Sequence, residues 1–513
     1  LMIKAAHGGG GKGMRVVRAA AEFQAALESC QREARGAFGK DRVLLERYVE
    51  RPRHIEIQIF GDHAGEVIHL NERECSAQRR YQKVIEESPS PFVTPELRAA
   101  MGAAAIQAGK AIDYANAGTV EFIVGPAGDF YFMEINTRLQ VEHPVTEMVT
   151  GLDLVELQLQ IAAGAKLADL VQERPVPTRG HAIEVRLYAE DPEQGFLPGS
   201  GKLELLHLPQ TDARVRIDSG VIEGDTVSVH YDPMIAKLIV HEADRGEALA
   251  LLREALAQSV VVGPKSNIDF LERLSRHPAV VEASIDTGYL DRHLAEVMPA
   301  ADDVPADVLA AICARALLDE EAAAAAAART GTDPYTPWAI ADGWRHGHPG
   351  KRLKHFLHRD QLIEVSVHGH DGHYTLDVGG QRLELRGARC NGDSVDFLIG
   401  QRATRLRVLA LPGGYLAHNG ERRWVLGLRH PFAFEASAAS AGDVVRSPMP
   451  GRIVAVRVEP DAEVSEGQEL MVMEAMKMEI TLKAPRAGAI AEIRASAGDF
   501  VEADMVLVKL ATP

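Results

Sequence analysis

Apolar residues change their spacing along this chain, and each change predicts a different kind of element. Up to about residue 294, short apolar runs alternate with stretches of helical period such as 94–113, 151–164 and 244–258, which predicts a mixed α/β portion. The run from Ala310 to Ala328 is rich in alanine, a strong helix former, and should stop before Gly331 and Pro334. From 361 to 428 the period becomes two, as in Ile363, Val365, Val367, then Tyr374, Leu376, Val378, and on through Leu383, Leu385, Val395, Phe397, Ile399, Leu406 and Val408. Short strands at such regular spacing predict an antiparallel barrel or sandwich, with no catalytic constellation in it.

The last part of the chain repeats itself. Residues 447–473 and 484–510 align at a constant offset of 37: Pro448 with Pro485, Gly451 with Gly488, Ile453 with Ile490, Val456 with Ile493, Val464 with Val501, Leu470 with Leu507. Each half reads as a few short strands sharing one apolar face that it cannot cover alone, so two halves should close into a small flattened barrel about a pseudo-twofold. Lys477, within Glu474-Ala475-Met476-Lys477-Met478-Glu479, falls on the hairpin joining them. The small and polar residues 435–442 read as a tether, which could span up to ~26 Å if extended.

At 513 residues there is enough chain for about three or four domains with substantial cores. A net charge of −17 argues against nucleic acid or an anionic membrane as partner, and no run of 18 apolar residues suggests a membrane span. An anionic substrate must therefore meet local basic groups. Cys30, Cys75, Cys313 and Cys390 are scattered without metal-type spacing and no signal peptide precedes them, which points to a reducing, cytoplasmic compartment; the mitochondrial matrix is the eukaryotic alternative. The opening Leu1-Met2-Ile3-Lys4 reads as a strand already under way, implying a domain upstream.

Candidate chemistry concentrates in the first half. Lys4 precedes His7-Gly8-Gly9-Gly10-Gly11-Lys12-Gly13, whose glycines would let backbone N–H groups wrap phosphate oxygens; a glycine run alone also reads as a flexible turn, and the Walker spacing is absent. Val120–Val124 and Tyr131–Ile135 flank the turn Pro126-Ala127-Gly128-Asp129, so a hairpin there sets Glu121 opposite Glu134. Two facing carboxylates repel, and one takes up a proton unless a cation sits between them. With no His or Cys expected nearby, oxygen ligands suit Mg²⁺ or Mn²⁺, the alternative being two solvent-facing glutamates. If the strand continues, Glu134, Asn136, Arg138, Gln140 and Glu142 share one face, a line of groups able to bind metal, hold a small planar anion and take up its proton.

Several motifs carry a resemblance. The Met-Lys-Met at the centre of the repeat closely resembles that of the biotinyl carrier domain, which implies biotin on Lys477, with lipoyl attachment as the alternative. The glycine loop, Glu46-Arg47-Tyr48-Val49, Pro52-Arg53-His54-Ile55-Glu56, Cys75-Ser76-Ala77-Gln78-Arg79-Arg80, Gln82-Lys83, the run Glu134 to Glu147 and Glu184-Val185-Arg186 resemble biotin carboxylase, an ATP-grasp enzyme, in order over nearly 300 residues. By that resemblance Lys4, Gly10, Gly11, Glu46, Val49, His54 and Gln78 would contact ATP, and Glu121, Glu134 and Asn136 would hold metal. Lys83, Arg138, Gln140 and Val141 would grip bicarbonate. Glu142 would remove its proton before attack on the γ-phosphate, giving carboxyphosphate, and Arg186 would stabilise the enolate of the biotin ureido ring. Where the family often has histidine this chain has Tyr81, which donates a hydrogen bond but does not become cationic, so nucleotide affinity should differ.

A carboxylase portion, a β domain and a carrier in one polypeptide resemble the α subunits of acyl-CoA carboxylases. The resemblance implies an ATP-grasp biotin carboxylase portion over 1–294 lacking its N-terminal part and an antiparallel β-barrel domain with a helix over 295–434. A tether over 435–443 and a flattened-barrel biotinyl carrier over 444–513 would complete the chain. Partners would be a carboxyltransferase β subunit in a hetero-oligomer, biotin protein ligase, and acyl-CoA through the β subunit. Gly220-Val221-Ile222-Glu223-Gly224-Asp225, Val229-His230-Tyr231-Asp232-Pro233-Met234-Ile235-Ala236-Lys237-Leu238 and Asp333-Pro334-Tyr335-Thr336-Pro337-Trp338 look most like the branched enoyl-CoA members, acting on methylcrotonoyl-CoA or geranoyl-CoA. A propionyl-CoA enzyme is the runner-up, and a non-catalytic carrier and scaffold is the reading from another class.

Overall fold

The computed structural model describes residues 1–8, 13–79, 82–229, 231–299, 303–344, 346–347, 350–359, 361–429, 443–475, 478–503 and 505–511. The chain opens with a small antiparallel sheet of β1 (Met2–Ala5), β2 (Met14–Val16) and β3 (Val43–Glu46), ordered β2-β1-β3, against which α1 (Phe23–Phe38) packs. Ile3 and Cys30 are its fully buried contacts.

The site-bearing element is a sheet of eight antiparallel strands. In chain order these are β4 (Arg53–Gly61), β5 (Val67–Arg79), β6 (Gln82–Ser88), β7 (Asn116–Val124), β8 (Phe130–Asn136), β9 (His181–Tyr188), β10 (Val215–Ser219) and β11 (Met234–Glu242). In space they run β10-β11-β9-β6-β5-β4-β7-β8. The alternation in β4 and β7 puts Ile55, Ile57, Ile59, Val120, Phe122 and Val124 on one face, against Met101 and Ala105 of α2 (Pro95–Ala111). Thr94 caps that helix by accepting from the Leu97 N–H, and Pro95 presets its first turn. The opposite face of the same strands therefore carries Glu56, Gln58, Thr119 and Glu121, and α3 (His143–Thr150) lies over it. Further on, α4 (Leu154–Ala162), α5 (Leu167–Leu170), α6 (Arg245–Gln258) and α7 (Ile268–Arg276) complete this portion, the last two packing with β9 and β11 around Val185, Leu238, Leu252 and Phe270.

The alanine-rich helix spans Ala306–Thr330, and the period-two stretch forms a closed antiparallel barrel of eight strands between Arg352 and Arg429. Between the two readings the sequence left open, closure of the last strand on the first decides for a barrel, because Phe356 pairs with Leu428. Val308 to Ala314 are buried without a break and share one core with Val365, Leu376 and Trp424. A helix covered on every side is enclosed by its surroundings rather than laid on them, and alanine makes it thin enough to fit. The alanines after Glu321 that dominate the sequence signal are mostly exposed.

Barrel and α/β portion are joined by a buried polar joint. The Arg423 guanidinium donates to both oxygens of Glu272 on α7, at 2.7 and 2.8 Å, and to the carbonyls of Leu256 (2.7 Å) and Ser259 (3.0 Å). Arg407 donates to the Ala257 carbonyl. Two barrel arginines thus add donors to carbonyls at the C-terminal end of α6, of which Leu256 also accepts from the Ser259 N–H. His418 adds a contact to Glu272 at 3.1 Å. Burial alone would raise the Glu272 carboxyl, but Arg423 and His418 bring it down to about 2.

The C-terminal repeat folds as its symmetry demands. Adding 37 to strands Gly451–Val456 and Glu463–Val464 gives strands Gly488–Ile493 and Phe500–Val501. Each of its two four-stranded sheets takes strands from both halves, so neither half can close alone. A Cβ on Gly451 would stand 2.7 Å from the Met473 methyl and 2.8 Å from the Glu474 carbonyl, which is why glycine sits beside the hairpin strand. Ala475 pairs with Met478 across the hairpin tip; residues 476 and 477, and all but the last residue of the tether expected over 435–443, lie outside the described residues. Among the described residues no helix is long and apolar enough to cross a membrane.

Removing Arg423 takes away the main counter-charge of the buried Glu272 and leaves it only the contact to His418. Arg423→Met should lower unfolding free energy by about 3–5 kcal/mol in chemical denaturation. The sign with pH follows from a depressed carboxyl: its stabilisation is present above the ordinary carboxyl range near 4.5 and disappears as pH falls toward 2, so the difference between wild type and Arg423→Met should shrink across that window. A pH-independent difference would refute the assignment.

Candidate functional site

Register builds the site before any side-chain detail does. Glu56 pairs with Arg73 across β4 and β5 and with Glu121 across β4 and β7, and Glu121 pairs with Glu134 across β7 and β8. On the other half of the sheet Glu86 pairs with Glu184, Arg186 with Lys237, and Lys237 with Asp218. Charged residues at alternate positions of otherwise apolar strands thus form one polar band across the sheet.

The band is neutralised from within. Lys83 Nζ donates to Glu56 Oε2 at 2.6 Å, Glu121 Oε1 at 3.1 Å and Glu142 Oε1 at 2.5 Å, one ammonium serving three buried carboxylates. Arg73, fully buried, donates to Glu56 at 2.6 Å, Gln58 at 2.8 Å, Thr146 at 3.0 Å and Thr119 at 3.1 Å. Arg186 bridges the two sides, with Nε on Glu86 at 2.7 Å and a terminal nitrogen on Glu142 Oε2 at 3.1 Å. Burial opposes ionisation of Glu56, but Arg73 and Lys83 lower its carboxyl to about 2. Burial and the facing Glu86 push Glu184 the other way, well above the carboxylate range, and neither of its oxygens has a hydrogen-bond partner among the described residues.

The expected repulsion between Glu121 and Glu134 resolves unequally. Burial of Glu121 is outweighed by His54 and Lys83, which bring its carboxyl to about 2; His54 Nε2 stands 3.3 Å from Glu121 Oε2, within ion-pair range but not aligned as a hydrogen bond. Glu134, more exposed, is raised by partial burial and by the Glu121 charge. The expectation of no His or Cys nearby is corrected: His54 and Cys75 both reach the cluster. Burial pushes the Cys75 thiol well above its usual value, so it remains a neutral thiol. Oxygen donors for a hard divalent cation remain at Glu121, Glu134 and Asn136, whose residues share the hairpin, and the raised Glu134 carboxyl is what a cation placed between the pair would relieve.

A second correction concerns the strand. β8 ends at Asn136, and residues 137–142 cross the polar band as an irregular segment before α3 begins under Pro144. The alternation is broken because Gln140 and Glu142 find partners on the sheet face rather than along a strand: Gln140 Nε2 donates to Glu121 at 3.3 Å, and Glu142 lies between Lys83 and Arg186. Arg138 is not brought into the cluster; it is exposed and donates to the Leu139 carbonyl. The Val141 carbonyl accepts from Lys237. Gln78 is buried opposite Lys83 on the neighbouring strand. Lys4 pairs with Glu46 at 2.9 Å on the small sheet, near enough that its charge acts on Glu134, and Val49 is half-buried in the loop that follows. Gly10, Gly11, Tyr81 and Lys477 lie outside the described residues. Glu56, Glu184 and Lys237 fall within the sequence motifs but, like Arg73 and Glu86, receive no role from sequence reasoning, although a lone charge inside an alternating run such as Ile55-Glu56-Ile57 or Ile183-Glu184-Val185 is a readable signal.

Residues 1–170 match the family profile described as carbamoyl-phosphate synthase L chain, ATP binding domain, and 184–292 match biotin carboxylase C-terminal domain. Residues 305–437 match methylcrotonyl-CoA carboxylase, alpha-subunit, BT domain, and 443–510 match biotin-requiring enzyme. The methylcrotonoyl-CoA carboxylase subunit alpha of Mus musculus is 42% identical over 503 residues, 97% of this chain and 70% of that one. The propionyl-CoA carboxylase alpha chain of Ruegeria pomeroyi is 37% identical over 536 residues, 99% of this chain and 77% of that one. Among solved structures, a biotin carboxylase complex from Campylobacter jejuni superposes with a TM-score of 0.55 at 43% identity, covering 57% of this chain, which spans 64% of that one. The biotin carboxylase domain of a Hydrogenobacter thermophilus 2-oxoglutarate carboxylase, in complex with MgADP, ADP and bicarbonate, gives 0.56 at 41% identity, covering 59% of this chain and 66% of that one.

The unequal pair makes unequal variants. In the absence of metal, Glu134→Gln should hold stability to within about 0.5 kcal/mol or raise it, since it removes repulsion at an exposed group. Glu121→Gln should lower stability by about 1–3 kcal/mol, because Lys83 loses a buried counter-charge. Urea denaturation of both measures this, and an equal effect of the two substitutions would contradict the arrangement.

Proposed function

Because the chain belongs to the methylcrotonoyl-CoA carboxylase α-subunit family, we propose that it uses ATP and bicarbonate to carboxylate a biotin held covalently on Lys477, supplying the carboxyl group to a partner carboxyltransferase that acts on 3-methylcrotonoyl-CoA or geranoyl-CoA. The observation that carries this is the buried array in which Lys83 and Arg186 hold the two oxygens of Glu142 beside a hairpin offering Glu121, Glu134 and Asn136.

In this reading 1–294 is the carboxylase portion, 295–434 the domain that binds the carboxyltransferase β subunit, 435–443 a tether and 444–513 the carrier that biotin protein ligase modifies. Lys4, Glu46, Val49, His54 and Gln78, with the glycine loop through Gly10 and Gly11, bind the nucleotide. Glu121, Glu134 and Asn136 hold Mg²⁺ or Mn²⁺, which when bound offsets charge on the transferring phosphoryl group. Lys83, Gln140 and the Val141 backbone receive bicarbonate, and Arg138 joins from its exposed position when the anion is present. Glu142 takes the proton of bicarbonate, its carboxylate oriented by one cation on each oxygen. Arg186 places a guanidinium where charge develops on the ureido oxygen of biotin. Relatives in mouse and plants are named mitochondrial, so a eukaryotic chain of this type would work in the matrix and a bacterial one in the cytoplasm. The propionyl-CoA reading draws on relatives of lower identity, 37% against 42%.

In the holoenzyme, Glu142→Gln should bind Mg²⁺-dependent ATP within about threefold of wild type while bicarbonate-dependent phosphate release falls by at least about 100-fold. Lys477→Arg should abolish the biotin mass increment and leave the melting temperature unchanged, because it keeps the charge and a long aliphatic stem, a change expected to cost less than about 0.5 kcal/mol. Normal turnover by Glu142→Gln, or avidin binding that survives Lys477→Arg, would defeat the respective assignment.

A further inference from the structure

Lys237 is a lysine buried in the middle of an apolar strand, Ile235-Ala236-Lys237-Leu238-Ile239, with 8% of its surface exposed. Lysine is seldom buried unless it is paired, so its partners say what it is for. Its ammonium donates to the Val141 carbonyl at 2.8 Å and stands 3.1 Å from Asp218 Oδ2. Asp218 is in turn held by both sides of the Arg216 guanidinium, at 2.8 and 2.9 Å, and Arg216 reaches Glu147 on α3 at 2.6 Å. The edge strand β10 and its neighbour β11 therefore grip the segment 141–147 at two points, one on either side of the α3 N-terminus.

We infer that Lys237 is a positioning residue for carboxylation: by holding the Val141 carbonyl it fixes the peptide unit that carries Glu142, and so sets the base against bicarbonate. The inference rests on the functional reading above. Residues 137–142 have no strand partner, so their conformation depends on such point contacts. Lys237 is also the cross-strand neighbour of Arg186, whose guanidinium already touches Glu142. One strand pair thereby registers the biotin-side arginine against the bicarbonate-side base. A charge-assisted hydrogen bond to a single carbonyl is directional, and loss of it lets the loop shift by an amount that proton transfer feels and nucleotide binding at the Lys4 and His54 end does not.

The test is steady-state kinetics of bicarbonate-dependent ATP cleavage by the biotinylated holoenzyme. Lys237→Met keeps most of the stem and removes the donor. It should lower kcat about 10- to 100-fold and raise the KM for bicarbonate several-fold, with the KM for MgATP within about twofold of wild type. Lys237→Arg, which restores a cationic donor, should recover part of both losses. Unchanged kcat and bicarbonate KM in a folded Lys237→Met would overturn the inference. So would a parallel rise of both KM values with a lowered melting temperature and no recovery by arginine, the pattern of a purely structural lysine. If Lys237→Met does not fold, Lys237→Arg decides alone: a bicarbonate-only KM change supports positioning, and none refutes it. Absence of bicarbonate-dependent ATP cleavage in the unaltered holoenzyme would instead bring down the functional reading, and this inference with it.

Discussion

One ammonium group, that of Lys83, makes the rest of the site possible. Glu56, Glu121 and Glu142 come from two strands and an irregular segment, and each is buried on the same face of the sheet. Without a shared cation, desolvation and mutual repulsion would protonate some of them or drive the face apart. With it, Glu56 and Glu121 stay ionised at low pH and the segment 137–142 can lie across the sheet instead of extending it.

Around this centre the sheet separates duties by strand. β4, β7 and β8 present the carboxylates Glu56, Glu121 and Glu134, β6 and β9 carry Lys83, Glu86 and Arg186, and β10 and β11 reach back to the segment that bears Glu142. Register places the charged strand residues of the band on one face, so a slip of one residue in any strand would turn its charged positions onto the apolar face. Glu184 shows the cost of concentrating acids here: burial and the facing Glu86 push its carboxyl well above the usual range, and neither of its oxygens has a hydrogen-bond partner among the described residues. The barrel is seated on α6 and α7 through Arg407 and Arg423, which serve as C-terminal caps, so its placement relative to the carboxylase portion rests on directional hydrogen bonds rather than on apolar area alone.

Much of this was legible in one dimension. The offset of 37 determined the carrier, because a half-barrel with an uncovered face admits only a partner of matching pattern, and the strands fall at that offset. Period two from 361 to 428 determined antiparallel strands, and the turn after Val124 determined the hairpin, in which a register shift between Glu121 and Phe122 sets Glu121 opposite Glu134. These are local facts: a turn of given length and an alternation of given phase leave one register.

What only the tertiary structure decided involves residues far apart in the chain. Period two continued past Asn136, yet β8 stops there, because the pull of Lys83 and Arg186 on Glu142 and of Lys237 on Val141 acts from strands that the local pattern does not contain. His54 and Cys75 entered a site expected to hold oxygen ligands alone, since which residues share a face of an eight-stranded sheet depends on strand order, and strand order is not written in any one strand. The same holds for ionisation. Sequence determined that Glu121 and Glu134 would repel; which carboxyl is lowered and which is raised was decided by depth and by the cations within reach, quantities that exist only once the chain has folded.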